Sequence, residues 1–256
     1  MTCQNTQFEF PLNERIRAFL RLEAMLEEFD HFIGMRSHWD VQSGIYALNR
    51  LLHFLERKDY RLEITQELER QLFSLNRLIN NPGVDTTSLN LAIVNTETYI
   101  AQFRNMQKCY DDSIRKDELL NSIRLRITTA NLTSSVDLPC LHSWLHSKNN
   151  EQQDRLNIWA SHFSHLKSTV MFILSAIRKT SIFEQKFADM GIYQQSLGST
   201  HNYSLIRLII DSPRHIFPEI SGGKHRINVR FLEMTSNFER PKQIEDPLDF
   251  QICFCS

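Results

Sequence analysis

The sequence predicts an α+β fold, a mainly α-helical bundle domain plus a small antiparallel β-sheet domain, on three observations. Helix breakers are scarce: seven glycines and seven prolines in 256 residues are less than half the usual combined share of about 12%. Their placement is uneven, with six of the fourteen before residue 190 and eight after it. Apolar residues recur at steps of three and four along most of the chain and at steps of two near its end, the periods of helix and strand. The expected division is a helical domain over residues 11–190 and a strand domain made of 1–10 with 191–256.

Each element has its own signal. Leu12, Ile16, Phe19, Leu22, Leu26, Phe29 and Ile33 keep one helical stripe and predict a long first helix. Val41, Ile45, Leu48, Leu52 and Leu55 predict a second, and Leu68, Leu72, Leu75 and Ile79 a third, stopped by Asn80, Asn81, Pro82 and Gly83. A fourth starts at a Thr86, Thr87, Ser88 cap and buries Leu89, Ile93, Ile100 and Phe103; a fifth covers roughly residues 112–127. Asp137 and Leu138 before Pro139 predict an N-cap with proline in the first turn, where its missing N–H costs nothing. That short helix carries His142, Trp144 and His146. The last helix has the cleanest stripe, Leu156, Trp159, Phe163, Leu166, Val170, Ile173 and Ile177, ending in Arg178 and Lys179 where the helix dipole favours cations. Such a stripe belongs to a bundle core, or else to a helix pairing between subunits.

Beyond Gly191 the period is two. Ile227, Val229 and Phe231 alternate with Arg226, Asn228 and Arg230; Phe250, Ile252 and Phe254 alternate with Gln251, Cys253 and Cys255. Residues 203–210 read as a third strand, and Gln7 to Phe10 closes the sheet from the other end of the chain.

Composition excludes several classes. With 41% hydrophobic and 23% charged residues the chain folds around a core, and is neither disordered nor collagen-like. A net charge of -1 lacks the overall basic footprint of a nucleic-acid binder, so any basic site is local. Five scattered cysteines and an N-terminus without basic or apolar leader features predict a reducing cytoplasm. The longest apolar run, near residues 170–177, is far short of the roughly 20 residues that span a bilayer, so no membrane span is expected.

No catalytic motif is complete. His142 and His146 have the i, i+4 spacing of a zinc pair but no glutamate between them, so a zinc hydrolase is a distant alternative. Gly222, Gly223 and Lys224 lack the remaining phosphate-loop residues, and Cys253 with Cys255 lacks a second ligand pair. A non-enzyme without cofactor or metal is expected. Local charge carries more information. Arg17 and Arg21 lie one turn apart, nearly opposite the apolar stripe of the first helix, where like charges cost stability unless solvated or bound. Between His201 and Phe231, Arg207, Arg214, Lys224, Arg226 and Arg230 face only Asp211 and Glu219, five against two. Arg226 and Arg230 share one strand face, opposite the apolar one. An anionic peptide or a phosphate suits them, and a nucleic-acid-binding or regulatory module using residues 201–231 is the alternative reading.

Phe8, Glu9, Phe10, Pro11 and Leu12 running into Arg17 and Arg21, then Asn81 to Asp85, Asp137 to His146, Phe217 to Gly222, Arg226 to Phe231 and the closing Leu248, Asp249, Phe250 resemble, in order and spacing, the ZapD family of bacterial cell-division proteins. The resemblance spans essentially the whole chain. It implies a non-catalytic cytoplasmic homodimer at the midcell division site. Such a protein binds the C-terminal tail of FtsZ, the tubulin-like GTPase of the division ring, and bundles its filaments. It further implies a basic tail pocket at Arg21, Arg57, His142 and Arg226. Glu118 stands where a relative has arginine, with Arg115 and Lys116 within one turn. The candidate tail-binding set is therefore Arg17, Arg21, Arg57, Arg115, Lys116, His142, Arg226 and Arg230.

Overall fold

A computed structural model describes residues 6–35, 37–79, 81, 83–126, 136–198, 202–211, 214–223, 225–235 and 239–256. Asn80, Pro82, Ile127, His201 and Lys224, used above, lie outside the described residues. The chain divides into two compact units, Arg21–Ile173 and Met1–Leu20 with Leu174–Ser256.

The chain opens with β1 (Thr6–Pro11) and α1 (Glu14–Ile33), followed by α2 (His38–Glu56), α3 (Arg61–Asn76) and α4 (Thr86–Asn105). These are the first four predicted helices, and Phe19, Leu22, Ile45, Leu48, Leu68 and Phe103 of their stripes are buried; Leu72, Leu75 and Ile93 are only half-buried, and α3 stops at Asn76, short of Ile79, which is exposed. The cap of α4 is Asp85 rather than the threonines after it, because its carboxylate accepts from the N–H groups of Thr87 (3.0 Å) and Ser88 (3.3 Å). Gly44 lets α2 lie close to α1: a Cβ there would come within 3.1 Å of the Cβ of Phe32.

The predicted fifth helix is two pieces, a 3-10 helix Asp112–Lys116 and α5 (Glu118–Arg126). Asp117 makes the break. Its N–H closes the first piece on the carbonyl of Ile114 at 3.2 Å, and its carboxylate accepts from the N–H of Leu120 at 2.9 Å, capping the second. Next come α6 (Pro139–Leu145), α7 (Asn149–Ser161) and α8 (Ser164–Arg178). Proline sits in the first turn of α6 as expected, but Leu138 holds the cap position, without a side-chain acceptor. The single last helix expected from the stripe is α7 plus α8. The carbonyl of His162 is turned to accept from the N–H of Asp111 at 3.0 Å and so leaves the helical ladder. The stripe itself survives the break: Leu156, Trp159, Phe163, Leu166, Val170, Ile173 and Ile177 are all buried, as core.

Asp117 also ties this region together. Arg155 of α7 grips it with a two-nitrogen fork at 3.0–3.1 Å, and the indole N–H of Trp159 donates to it at 2.9 Å. Burial, the strongest influence, pushes the carboxyl up; hydrogen bonds from Leu120, Trp159 and Arg155 and the charge of Arg155 outweigh it and hold it below the usual carboxylate range.

Among its described residues the other unit holds eight strands where three or four were expected: β1, β2 (Glu184–Ala188), β3 (Ile192–Ser196), β4 (Leu205–Ile210), β5 (Ile216–Gly222), β6 (Arg226–Glu233), β7 (Lys242–Gln243) and β8 (Leu248–Cys255). They form two antiparallel sheets rather than one. The first has the order β1-β4-β8-β2, so the N-terminal strand does pair beside residues 205–210; the second has the order β3-β6-β5, with β7 on β6. The predicted strands β6 and β8 thus lie in different sheets. Ile206, Leu208, Ile227, Val229, Phe231, Phe250 and Ile252 pack from both sheets into one core. On the other face of the first sheet Glu9 binds Arg178 (2.6 and 2.9 Å) and Arg207 (3.1 Å). A two-residue turn joins β2 to β3, with Met190 (φ 47) and Gly191 (φ 67) both left-handed. Gly191 has no alternative, since a Cβ would lie 2.6 Å from the carbonyl oxygen of Ile244.

Two outcomes follow. Asp117→Ala leaves a guanidinium and an indole N–H without their acceptor and should cost about 2 kcal/mol, moderated by the partial exposure of Arg155, measured by urea unfolding. Because the folded carboxyl titrates below its unfolded value, its stabilisation is present above the usual carboxylate range and lost as pH falls through the folded value. The wild-type chain should therefore lose more stability than Asp117→Ala on acidification.

Candidate functional site

The basic residues fall into groups set by local structure. Arg17 is only partly exposed. It is engaged by Glu14 at 3.0 Å and lies over the ring of Phe10 at 5.7 Å. Arg21, in the helical unit, is exposed and makes no ion pair among the described residues.

Arg21 and Arg57 are brought together by the geometry of α1 and α2. Gly44 packs on Phe32 and Arg50 pairs with Glu28, so residue numbers rise along α2 as they fall along α1, and the two helices are antiparallel. Two turns beyond the Arg50 and Glu28 pair, about 10.5 Å along each axis, stand Arg57 and Arg21. A seven-residue step returns to nearly the same side of a helix, so the two positions lie along one seam. The phenol of Tyr60 registers this: burial and then Glu63 push it up, while Lys58 and Arg21 pull it down. Among the described residues Arg57 is otherwise met only by the ring of His53, at 3.0 Å.

Arg115 joins the same end. It reaches Glu56 at 3.2 Å, Asp112 at 2.7 Å and the hydroxyl of Tyr110 at 3.3 Å. Arg124 forks onto Glu56 at 2.6 and 2.7 Å, and Lys108 meets Asp112 at 2.7 Å. Arg21, Arg57, Lys58, Lys108, Arg115 and Arg124 gather here with Glu56, Asp59, Glu63 and Asp112, six positive charges against four negative. Lys116 is exposed beside Arg115, as is Glu118, which has no partner among the described residues. A cleft of about 290 Å³ opens here, lined by Leu55, Glu56, Lys58, Cys109, Tyr110 and Arg115 among others. Burial, with Asp59 adding to it, pushes the Cys109 thiol up to about 12, away from the thiolate form. The arrangement can hold an anionic group by charge and forked hydrogen bonds.

His142 is not in this group. Its ring lies 4.3 Å from that of His146, which lies 5.3 Å from that of His38 at the start of α2. About 28 Å of helix separate His38 from Arg57. His146 turns its Nδ1 to its own helix, donating to the carbonyl of His142 at 2.8 Å. Among the described residues no three His, Cys, Asp or Glu side chains are grouped to hold a metal ion, and no helix is long and apolar enough to cross a membrane.

In the sheet unit the expected basic patch is reduced. Arg207 is spent on Glu9, and Arg214 forks onto Glu233 (2.6 and 2.7 Å) and reaches Asp246 at 2.8 Å. Arg226 and Arg230 remain on the exposed face of β6, as alternation requires; Arg230 is loosely met by Glu219 at 3.7 Å and Gln243 at 3.4 Å, Arg226 by the neutral Gln194. Sequence reasoning missed Glu56, Lys108, Tyr110 and Arg124. Arg124 and Glu56 are 68 positions apart, and no local pattern links them.

Comparison with known proteins agrees with the whole-chain likeness. The family model of ZapD, a cell division protein, matches residues 20–230. A protein of Methylococcus capsulatus named Cell division protein ZapD is 30% identical over 248 residues, 97% of this chain and 97% of the relative. Those of Nitrosomonas eutropha and Coxiella burnetii, named likewise, are each 29% identical, over 97% of this chain and 98% of the relative and over 100% and 99% respectively. A helical unit and a strand unit carrying exposed arginines, matched along nearly their entire length, place the chain in the ZapD family of cell division proteins.

Proposed function

We propose that the protein is a non-catalytic division factor that binds the C-terminal tail of FtsZ and bundles its filaments as a homodimer, in the cytoplasm at the midcell division site. The observation that carries tail binding is the pair Arg21 and Arg57 on one seam, with Arg115 and Lys116 beside them and a local excess of positive charge. The ZapD family membership supports the same reading. Arg226 and Arg230 offer the tail a second basic surface on the other unit, and His142 a further contact. The nucleic-acid alternative loses support, because Arg207 and Arg214 are neutralised by carboxylates.

Bundling needs two tail sites per particle, and a two-fold dimer supplies them by duplication, with the second engagement at high effective concentration. Exposed apolar side chains on the adjacent helices α3 and α4, Phe73 at 66%, Leu91 at 62% and Val94 at 56%, support an interface there.

Arg21→Glu should weaken binding of an FtsZ tail peptide about tenfold while changing stability by less than about 0.5 kcal/mol, read by fluorescence anisotropy beside a melting curve. Wild-type binding should weaken as salt shortens the screening length to roughly 10 Å at 0.1 M. Salt-independent binding that tolerates Arg21→Glu would place the tail elsewhere. Phe73→Glu should give a monomer that binds the peptide normally but no longer raises low-speed pelleting of FtsZ filaments. A monomer that still bundles rules out the bivalent mechanism.

A further inference from the structure

The second sheet ends in β3, and the direction of its backbone groups is fixed by its two end bonds. Gly191 accepts from the N–H of Phe231 at 2.8 Å, and Leu197 donates to the carbonyl of His225 at 2.7 Å. Odd-numbered residues therefore face β6, and the N–H and C=O groups of Gln194 and Ser196 point away from the sheet. Among the described residues nothing pairs with them; the outward N–H of Ile192 is used inside the turn, on the carbonyl of Asp189 at 2.9 Å.

Exposed strand edges are normally blunted by charge or proline. The other edges follow that rule: β1 has Glu9 and Pro11, β2 has Glu184 and Lys186, β5 has Pro218, and the two-residue β7 has Lys242. Among the described strands only β3, with the sequence Ile-Tyr-Gln-Gln-Ser, has neither. Beside it lies a groove of about 430 Å³ lined by Gln194, Ser221, Gly222, Arg226, Ile227 and Asn228. The buried Oδ1 of Asn228 has no donor. Arg226 stands opposite Ser196, and its guanidinium leans over β3 to the side-chain oxygen of Gln194. That partner is neutral, and a carboxylate would replace it with a charge-assisted bond.

We propose that the open edge of β3 binds an extended, carboxylate-bearing peptide segment by strand addition, with main-chain hydrogen bonds to Gln194 and Ser196 and the carboxylate on Arg226. A second copy of β3 fits less well. Its strand, Ile-Tyr-Gln-Gln-Ser, carries no carboxylate to meet Arg226. The inference rests on the tail-binding reading for its probe, a synthetic FtsZ C-terminal tail peptide added to the full chain.

Ser196→Pro removes an outward N–H and leaves the bonds of Gln195 and Leu197 to β6 in place, a substitution that strand edges tolerate. Peptide affinity should fall about tenfold with the melting curve unchanged. Independently of any variant, hydrogen exchange at the amides of Gln194 and Ser196 should slow when the peptide is added to the wild-type chain, and Arg226→Gln should reduce that protection. Absence of protection at both amides overturns strand addition. If the peptide then still binds and Arg21→Glu still weakens it, the tail-binding reading stands without this edge; if neither holds, both readings fail.

Discussion

The carboxylate of Asp117 is the constraint on which the basic end of the helical unit depends. It stops the 3-10 helix, caps α5 and receives Arg155 and Trp159 from α7. A carboxylate this enclosed is tolerable only when its oxygens are filled by donors, so the chain around it has little freedom. Arg115 and Lys116 immediately precede it. With Asp117 held, the 3-10 turn presents Arg115 to Glu56 and Tyr110, and Glu56, shared between Arg115 and Arg124, leaves Arg57 with no carboxylate of its own among the described residues.

Charge is distributed in two ways in this protein, and the difference separates framework from surface. Where a carboxylate and a guanidinium meet inside a sheet or between a sheet and the helix end or loop beside it, as at Glu9 with Arg207 and Arg178 or at Arg214 with Glu233, the ions are matched and committed to the fold. Where basic side chains, lysines included, outnumber carboxylates, as around Arg21, Arg57, Lys108 and Arg115, the excess faces solvent. Counting charges along the sequence cannot separate these two kinds, which is why Arg207 and Arg214 looked like part of a binding patch.

The helices were legible because period and burial coincide: Phe19, Leu48, Leu68, Phe103 and Trp159 are where a stripe predicts them. The strands β6 and β8 were legible for the same reason, one face apolar and one polar. β2 and β3 were not, since Glu-Gln-Lys-Phe-Ala and Ile-Tyr-Gln-Gln-Ser alternate weakly and lie at sheet edges. The break at His162 was invisible because it involves a tertiary hydrogen bond, from the N–H of Asp111; the break at Asp117 is made locally, by its cap on Leu120, but the carboxylate is held there by Arg155 and Trp159, about 40 positions away. At the candidate site, Arg21 could be seen off its stripe, but its place beside Arg57 depends on the antiparallel register of α1 and α2. His142 shows the converse: grouped with the arginines by resemblance, it sits at the other end of α2 from Arg57.

The central claim is that positive charge on a folded, non-catalytic scaffold recognises one short tail. The most direct measurement is cosedimentation of the purified protein with polymerised FtsZ, using filaments with and without the C-terminal tail. The account predicts that the protein pellets with intact filaments and stays in the supernatant with tail-less ones. Equal pelleting with both would contradict it.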